Sequence, residues 1–237
     1  MSGLRTFEYS HDGVVLKGQL ATPAGSGPHP AVLVMHEARG LGPHMRSRAL
    51  MLAEAGYVAL ATDMYGGGVH FEDPAASGEP FTALQKNPQH LRNRVLAGFD
   101  ALAALPSADP DRLGAAGFCF GGQCVLELAR SGADAKAVVS FHGILTTQLP
   151  ARPGEVRAKV LALTGARDPY APLADAETFR EEMTAAGANW QMTLYGEAWH
   201  AFTDPGAGDI DVPGVRYDPL LAKLSWAQAL AFLEATL

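Results

Sequence analysis

Cysteine is scarce in this chain of 237 residues, which holds only Cys119 and Cys124. Their spacing, across an expected helix start, suits neither a structural disulfide nor a metal cluster, so a reducing cytoplasm is the simplest expectation. Basic charge is also in short supply. Eighteen Lys and Arg stand against 25 Asp and Glu, a net charge of −7, which argues against a nucleic-acid surface. The N-terminus has no apolar signal core and no apolar run approaches membrane-spanning length, so neither export nor membrane anchoring is expected. No repeat, linker or charge run divides the sequence, and residues 1–237 are expected to form one domain. A hydrophobic content of 48% with 18% charged residues describes an ordinary core-forming protein.

What is present is a regular alternation of β-rich runs and helical patterns. Thr6–Tyr9 and Val14–Leu20 flank His11-Asp12-Gly13 and read as a β-hairpin. Ala31–Met35 is continuously apolar, as a strand buried on both faces would be. A helix over Met45–Ala55 and a strand over Tyr57–Ala61 follow, then a helix over His90–Leu105 and a strand over Leu113–Phe118. Beyond an amphipathic helix over Gln123–Arg130 come strands at Ala137–Phe141, Val160–Leu163 and Gln191–Tyr195, with helices at Leu173–Ala186 and Leu220–Thr236. The succession predicts an α/β fold: a mainly parallel central sheet with helices on both faces and an N-terminal antiparallel hairpin. Residues 66–89 and 203–219 break the rhythm as long irregular segments, fitting either lids and pocket walls or plain surface excursions.

Chemistry concentrates at Gly117-Phe118-Cys119-Phe120-Gly121-Gly122, between an apolar strand and a helix. This is the setting of a nucleophile elbow, with cysteine where serine is commoner. The turn sets the sulfur at the strand's C-terminal edge and at a helix N-terminus, whose positive potential favours thiolate. Asp168 follows the Val160–Leu163 strand and His200 follows the Gln191–Tyr195 strand, so both reach the same sheet edge. Nucleophile, acid, then histidine is the chain order of α/β-hydrolases. Considered singly, Asp168 also suits a helix N-cap and His200 a loop. Cys124 lies among apolar helix residues and reads as core.

An oxyanion hole would use the backbone N–H of Phe120 and one from the loop after Ala31–Met35, with Ala38 the natural donor. His36-Glu37 is no zinc-protease motif, because Gly40 stands where a second histidine belongs. Glu37 is placed either to take the thiol proton or bond substrate, or else to pair with Arg39 or cap a helix. Arg39, Tyr65, Phe118, Tyr170 and Trp199 are candidate pocket walls, each also compatible with ordinary packing.

Together Met35-His36-Glu37, the Cys119 elbow, Gly165-Ala166-Arg167-Asp168-Pro169, Trp199-His200-Ala201-Phe202 and Asp63-Met64-Tyr65-Gly66 make the chain resemble the dienelactone hydrolase family over nearly its whole length. That resemblance implies an α/β-hydrolase fold without a large cap, a Cys119–His200–Asp168 triad, and hydrolysis of lactones or esters with no cofactor and no metal. It casts Glu37 as the acid that pairs with the thiol, and Ala38 and Phe120 as oxyanion donors. Family members acting on dienelactone resemble one another in an arginine four residues after the catalytic histidine, where this chain has Asp204. Arg39, Arg92 and Arg94 are possible substitutes, the latter two more plausibly surface charges. The expected substrate is therefore a small lactone or ester without a carboxylate, bound by a monomer or homodimer. A thioesterase or acyltransferase on the same triad, and a non-catalytic redox-sensing or binding module, are the alternatives.

Overall fold

The computed structural model describes residues 3–209 and 211–237. Eight strands form one sheet in the order β1-β2-β4-β3-β5-β6-β7-β8. These are β1 (Arg5–His11), β2 (Val14–Ala21), β3 (His29–Met35), β4 (Val58–Ala61), β5 (Ala108–Phe118), β6 (Ala137–Phe141), β7 (Lys159–Gly165) and β8 (Trp190–Tyr195). Only β2 runs against its neighbours; β4-β3-β5-β6-β7-β8 are parallel. The hairpin turns on Asp12 and Gly13, both at positive φ, the geometry a two-residue turn needs.

Helices cover both faces. Helices α1 (Pro43–Glu54) and α6 (Pro219–Glu234) bury Met45, Leu52, Trp226 and Leu233 against Val32, Val34 and Phe141 on one face. On the other, α2 (Gly78–Gln85), α3 (Pro88–Ala103), α4 (Phe120–Arg130) and α5 (Leu173–Ala185) close over Leu33, Ala115 and Val138. Strands β4 and β6 are buried at every position, which is why they read as unbroken apolar runs.

Several expectations are corrected. Three helices begin one or two residues earlier than their periodicity suggests, at Pro43, Pro88 and Pro219. Proline's fixed φ and missing N–H suit a first helical turn, whose amides have no intrahelical acceptor. Residues 66–89 are not irregular throughout; they contain a 3-10 turn, Pro74–Ser77, and helix α2. Helix α4 is not amphipathic in the folded chain, because every residue from Phe120 to Arg130 is buried.

Its charged residues, Glu127 and Arg130, are satisfied by ion pairs, and Gln123 by Gln85. Arg130 reaches Glu182 through Nε (2.9 Å) and Nη2 (2.7 Å), and Glu127 through Nη1 (3.1 Å). Arg92 binds the other oxygen of Glu127 at 2.7 Å and the Leu149 carbonyl at 2.6 Å. Arg92 is thus a structural partner, not a surface charge. Arg94 is likewise buried, donating to the Met64 carbonyl at 3.0 Å. Removing one member of a buried ion set strands the others without water. Arg130→Ala is therefore expected to lose about 3 kcal/mol or more of stability, measured by urea unfolding.

Candidate active site

Strand β5 delivers Cys119 at φ 54° and ψ −115°, a left-handed conformation that a non-glycine residue holds only under constraint. The constraint comes from close backbone contacts. A Cβ on Gly117 would strike the Gly121 carbonyl, and one on Gly121 would strike the Met35 carbonyl. The glycines flanking the cysteine are therefore required by space. The Cys119 amide donates to the Phe141 carbonyl at 3.0 Å and faces His142 Nδ1 at 3.2 Å. Helix α4 starts at the next residue, so the half-buried thiol sits at its N-terminus.

Asp168 and His200 converge there from β7 and β8. His200 Nδ1 donates to Asp168 Oδ2 at 2.8 Å, with both side chains buried. The other oxygen of Asp168 accepts the amides of Tyr170 (2.8 Å) and Ala171 (3.2 Å), which fixes the carboxylate. It caps that turn and not helix α5, whose N-cap is Pro172. With Nδ1 committed, Nε2 is the ring nitrogen left to serve Cys119. Burial alone would lower the His200 pKa, but the charge of the Cys119 sulfur and the bonds to Asp168 and Cys119 push it up to about 10.

The loop after β3 supplies the opposite wall. Met64 N–H donates to His36 Nε2 at 3.0 Å, leaving the His36 proton on Nδ1, which meets the Glu37 carbonyl at 2.6 Å. Gly40 N–H donates to that carbonyl as well, at 3.0 Å. The Glu37–Ala38 peptide is therefore held from two sides, and with it the direction of the Ala38 N–H. The Phe120 N–H opens helix α4, where backbone donors lack intrahelical partners. Tyr65 adds a brace, its hydroxyl donating to the Ala38 carbonyl at 2.8 Å and its ring stacked on Phe120.

Glu37 does not pair with Arg39, and its bond runs to His44 rather than to the thiol. His44 Nδ1 lies 3.1 Å from its carboxylate, while Arg48 Nε donates to His44 Nε2 at 3.0 Å. Burial opposes ionisation of Glu37, yet His44, His200 and Arg39 together hold its pKa below the usual carboxylate value. Asp204 Oδ1 is 3.7 Å from the same His44 nitrogen, and burial and Glu37 raise its pKa. Glu37, Arg39, His44, Asp204, Tyr217 and Trp226 help line a neighbouring cavity of about 860 Å³, whose walls include neither Cys119 nor His200. Both long segments contribute walls to it, through His70 and Glu72 and through Asp204 to Asp209.

Among the expected pocket walls, Arg39 lines this cavity but spends Nε and Nη2 on the Phe71 and Glu72 carbonyls, both at 2.9 Å. Tyr170, 45% exposed, sits with its ring 4.8 Å from that of His200. Trp199 is half-buried beside His200. Phe118 is no pocket wall: it is 0% exposed and stacked on Phe141 at 4.5 Å. Alternation along β5 turns it to the face opposite the chemistry of its neighbour.

Two groups of side chains bring metal-type ligands within 4.8 Å of one another, Glu37–His44–Asp204 and His11–Asp12–His90. In the first, Arg48 occupies the lone pair of His44 Nε2, so Nδ1 carries the proton and offers carboxylates a donor, not a metal a ligand. The second lies at the β1–β2 turn, on the sheet edge away from β5.

The sequence did not point to His142, Thr203, His44 or Arg48, and offered His36 only within the Met35-His36-Glu37 motif and as no zinc ligand. Their common signal was position, on the loop and helix that follow β3, just past β6, or beside His200. Burial holds His36 below the ordinary histidine pKa and His142 well below it. The unfolded chain therefore binds protons below about pH 6.5 that the folded chain refuses, and stability falls as pH drops through that value. Thermal unfolding is expected to show this acid slope, made shallower in a His142→Gln variant.

The strand order, the single antiparallel strand β2 and the elbow at the end of β5 define an α/β-hydrolase fold with no cap domain. The family model of the dienelactone hydrolase family matches residues 16–237. The chain belongs to the dienelactone hydrolase family. It is 32% identical over 210 residues to a Methylorubrum extorquens protein named "Putative carboxymethylenebutenolidase", covering 81% of this chain and 69% of that one. Its fold matches the crystal structure of a dienelactone hydrolase-like promiscuous phosphotriesterase from metagenomic libraries with a TM-score of 0.93, at 34% identity and over 99% of this chain and 98% of that one. The chain is accordingly a hydrolase of the class that acts on ester and lactone bonds.

Proposed function

We propose that this chain hydrolyses small lactones or esters through an acyl-thioester on Cys119, in a reducing cytoplasm where the thiol stays free. The observation that carries the reading is the convergence of Cys119, His200 and Asp168 at one edge of the sheet. The Cys119 thiolate attacks the carbonyl carbon, and the Ala38 and Phe120 N–H groups receive the oxyanion. Collapse breaks the C–O bond as the His200 imidazolium protonates the departing oxygen. Neutral His200, held by Asp168, then takes a proton from water as the water attacks the thioester. Collapse releases acid and restores the thiolate. Activated esters suit this path best, because an amine leaves less readily than the thiolate.

Asp204, four residues after His200, argues for a substrate without a carboxylate. Together with Glu37 it lines the neighbouring cavity, where Arg48 spends its guanidinium on His44 and the Thr203 carbonyl. An anionic substrate would meet like charge in a partly dehydrated space. The test is a panel of aryl esters and lactones in matched neutral and carboxylate-bearing pairs, with a phosphotriester added because of the structural relative. A burst of product and a mass increment on Cys119 are expected, with neutral members at least about tenfold better in kcat/KM. Absence of any burst across the panel overturns the hydrolytic reading. Preference for the carboxylate-bearing members overturns the substrate class.

A further inference from the structure

Among the described residues, four non-glycine positions have positive φ, and three of them surround the reacting groups: Cys119, His142 and Ala201. His142 follows β6, its amide bonded to the Leu163 carbonyl of β7 at 2.7 Å, and its ring is fully buried. Nδ1 accepts the Cys119 N–H at 3.2 Å, so the lone pair on that nitrogen is used. The proton of the neutral ring must then sit on Nε2, which donates to Thr203 Oγ1 at 2.7 Å. Thr203 is buried three residues after His200, and its carbonyl is held by Arg48 at 3.0 Å. The His142 ring also stands edge-on to His200, with centroids 5.4 Å apart, and to Phe202.

One imidazole thus spans from the nucleophile's own backbone to the loop that carries the base. We propose that His142 is a positioning residue, a neutral strut that sets the distance and direction between the Cys119 sulfur and His200. This rests on the hydrolytic reading of the site. Neutrality is part of the role. A protonated ring would turn a donor against the Cys119 N–H and place a cation beside the His200 imidazolium. The groups facing the ring, His200, His44 and Arg48, all oppose that proton. The strut also explains how a left-handed cysteine stays in place. Its amide is fixed twice, by Phe141 and by His142, so the strained turn cannot relax without breaking both bonds.

Side-chain geometry separates the two ends of the strut. The amide oxygen of asparagine overlies histidine Nδ1, whereas only the longer glutamine reaches the Nε2 position. His142→Leu removes both bonds and is expected to lower kcat about 100-fold with KM within about twofold, since a misplacement near 1 Å has that effect. The same variant should slow iodoacetamide alkylation of Cys119 at neutral pH and move its pH profile upward. His142→Asn should return alkylation close to wild type and recover part of kcat. Thr203→Val opens the other end, and combined with His142→Leu it should add no further loss, because the two residues act as one device. Melting temperatures confirm that each variant is folded; if His142→Leu is not, His142→Asn and Thr203→Val carry the test. Wild-type kcat and an unmoved alkylation profile in His142→Leu would overturn the proposal, as would additive losses in the double variant. Alkylation needs no substrate, so it decides the strut even if the ester panel fails the hydrolytic reading.

Discussion

Cys119→Ala is expected to reduce turnover of an activated aryl ester by about 10⁴-fold or more, leaving at most the slow rate that binding and the oxyanion donors provide. The alanine methyl fits where the cysteine Cβ stood, and the backbone bonds of Cys119 do not involve sulfur. Loss of stability is therefore small, and the loss of rate reports chemistry. A second signature accompanies it. The sulfur's charge helps raise His200 to about 10, so its removal lowers the His200 pKa, a change visible by NMR of the imidazole. Near-normal turnover in this variant, measured with material free of wild-type enzyme, would end the nucleophile assignment.

Asp168→Asn is expected to cost about 10³ to 10⁴ in kcat while leaving the fold intact. The buried carboxylate accepts from His200 Nδ1 with one oxygen and from two backbone amides with the other. The asparagine oxygen keeps the backbone bonds, and its NH₂ then turns to His200. That donor demands a lone pair on Nδ1, which moves the imidazole proton to Nε2 and aims it at the sulfur. The ring remains in position but in the wrong tautomer to take a proton from water. The rate loss should shrink at higher pH if hydroxide replaces the base in deacylation. A loss below tenfold at all pH values would show that Asp168 is only a turn-capping residue.

The candidate trio of Cys119, Asp168 and His200 was legible because it is written in local context. Gly117 and Gly121 flank Cys119, and Asp168 and His200 each follow a buried strand whose apolar run declares its end. The supporting residues were illegible for the opposite reason. His142 and Thr203 are 61 positions apart, and neither carries a motif; their meaning is the bond between them. Helix α2 was hidden by Gly78 and Pro80, residues that usually break helices but are tolerated in a first turn. The start of β5 was obscured by Pro110 and its flanking aspartates, which accompany a shift of register against β3 between His29 and Ala31. Phe118 illustrates a limit of proximity in sequence: adjacent to Cys119, it belongs to the other side of the sheet.

Helix α4 is 11 residues long, so its two ends are roughly 16 Å apart. The thiol rides on one end while Arg130, fully enclosed, is moored at the other to Glu182 and the Leu145 carbonyl, with Glu127 of the same helix held by Arg92. That mooring forbids the helix from rolling or sliding beneath the turn it supports. Tolerance to change around the pocket rim should therefore coexist with intolerance at a distant, electrically balanced keel, and drift in the keel would be felt first as misaimed sulfur.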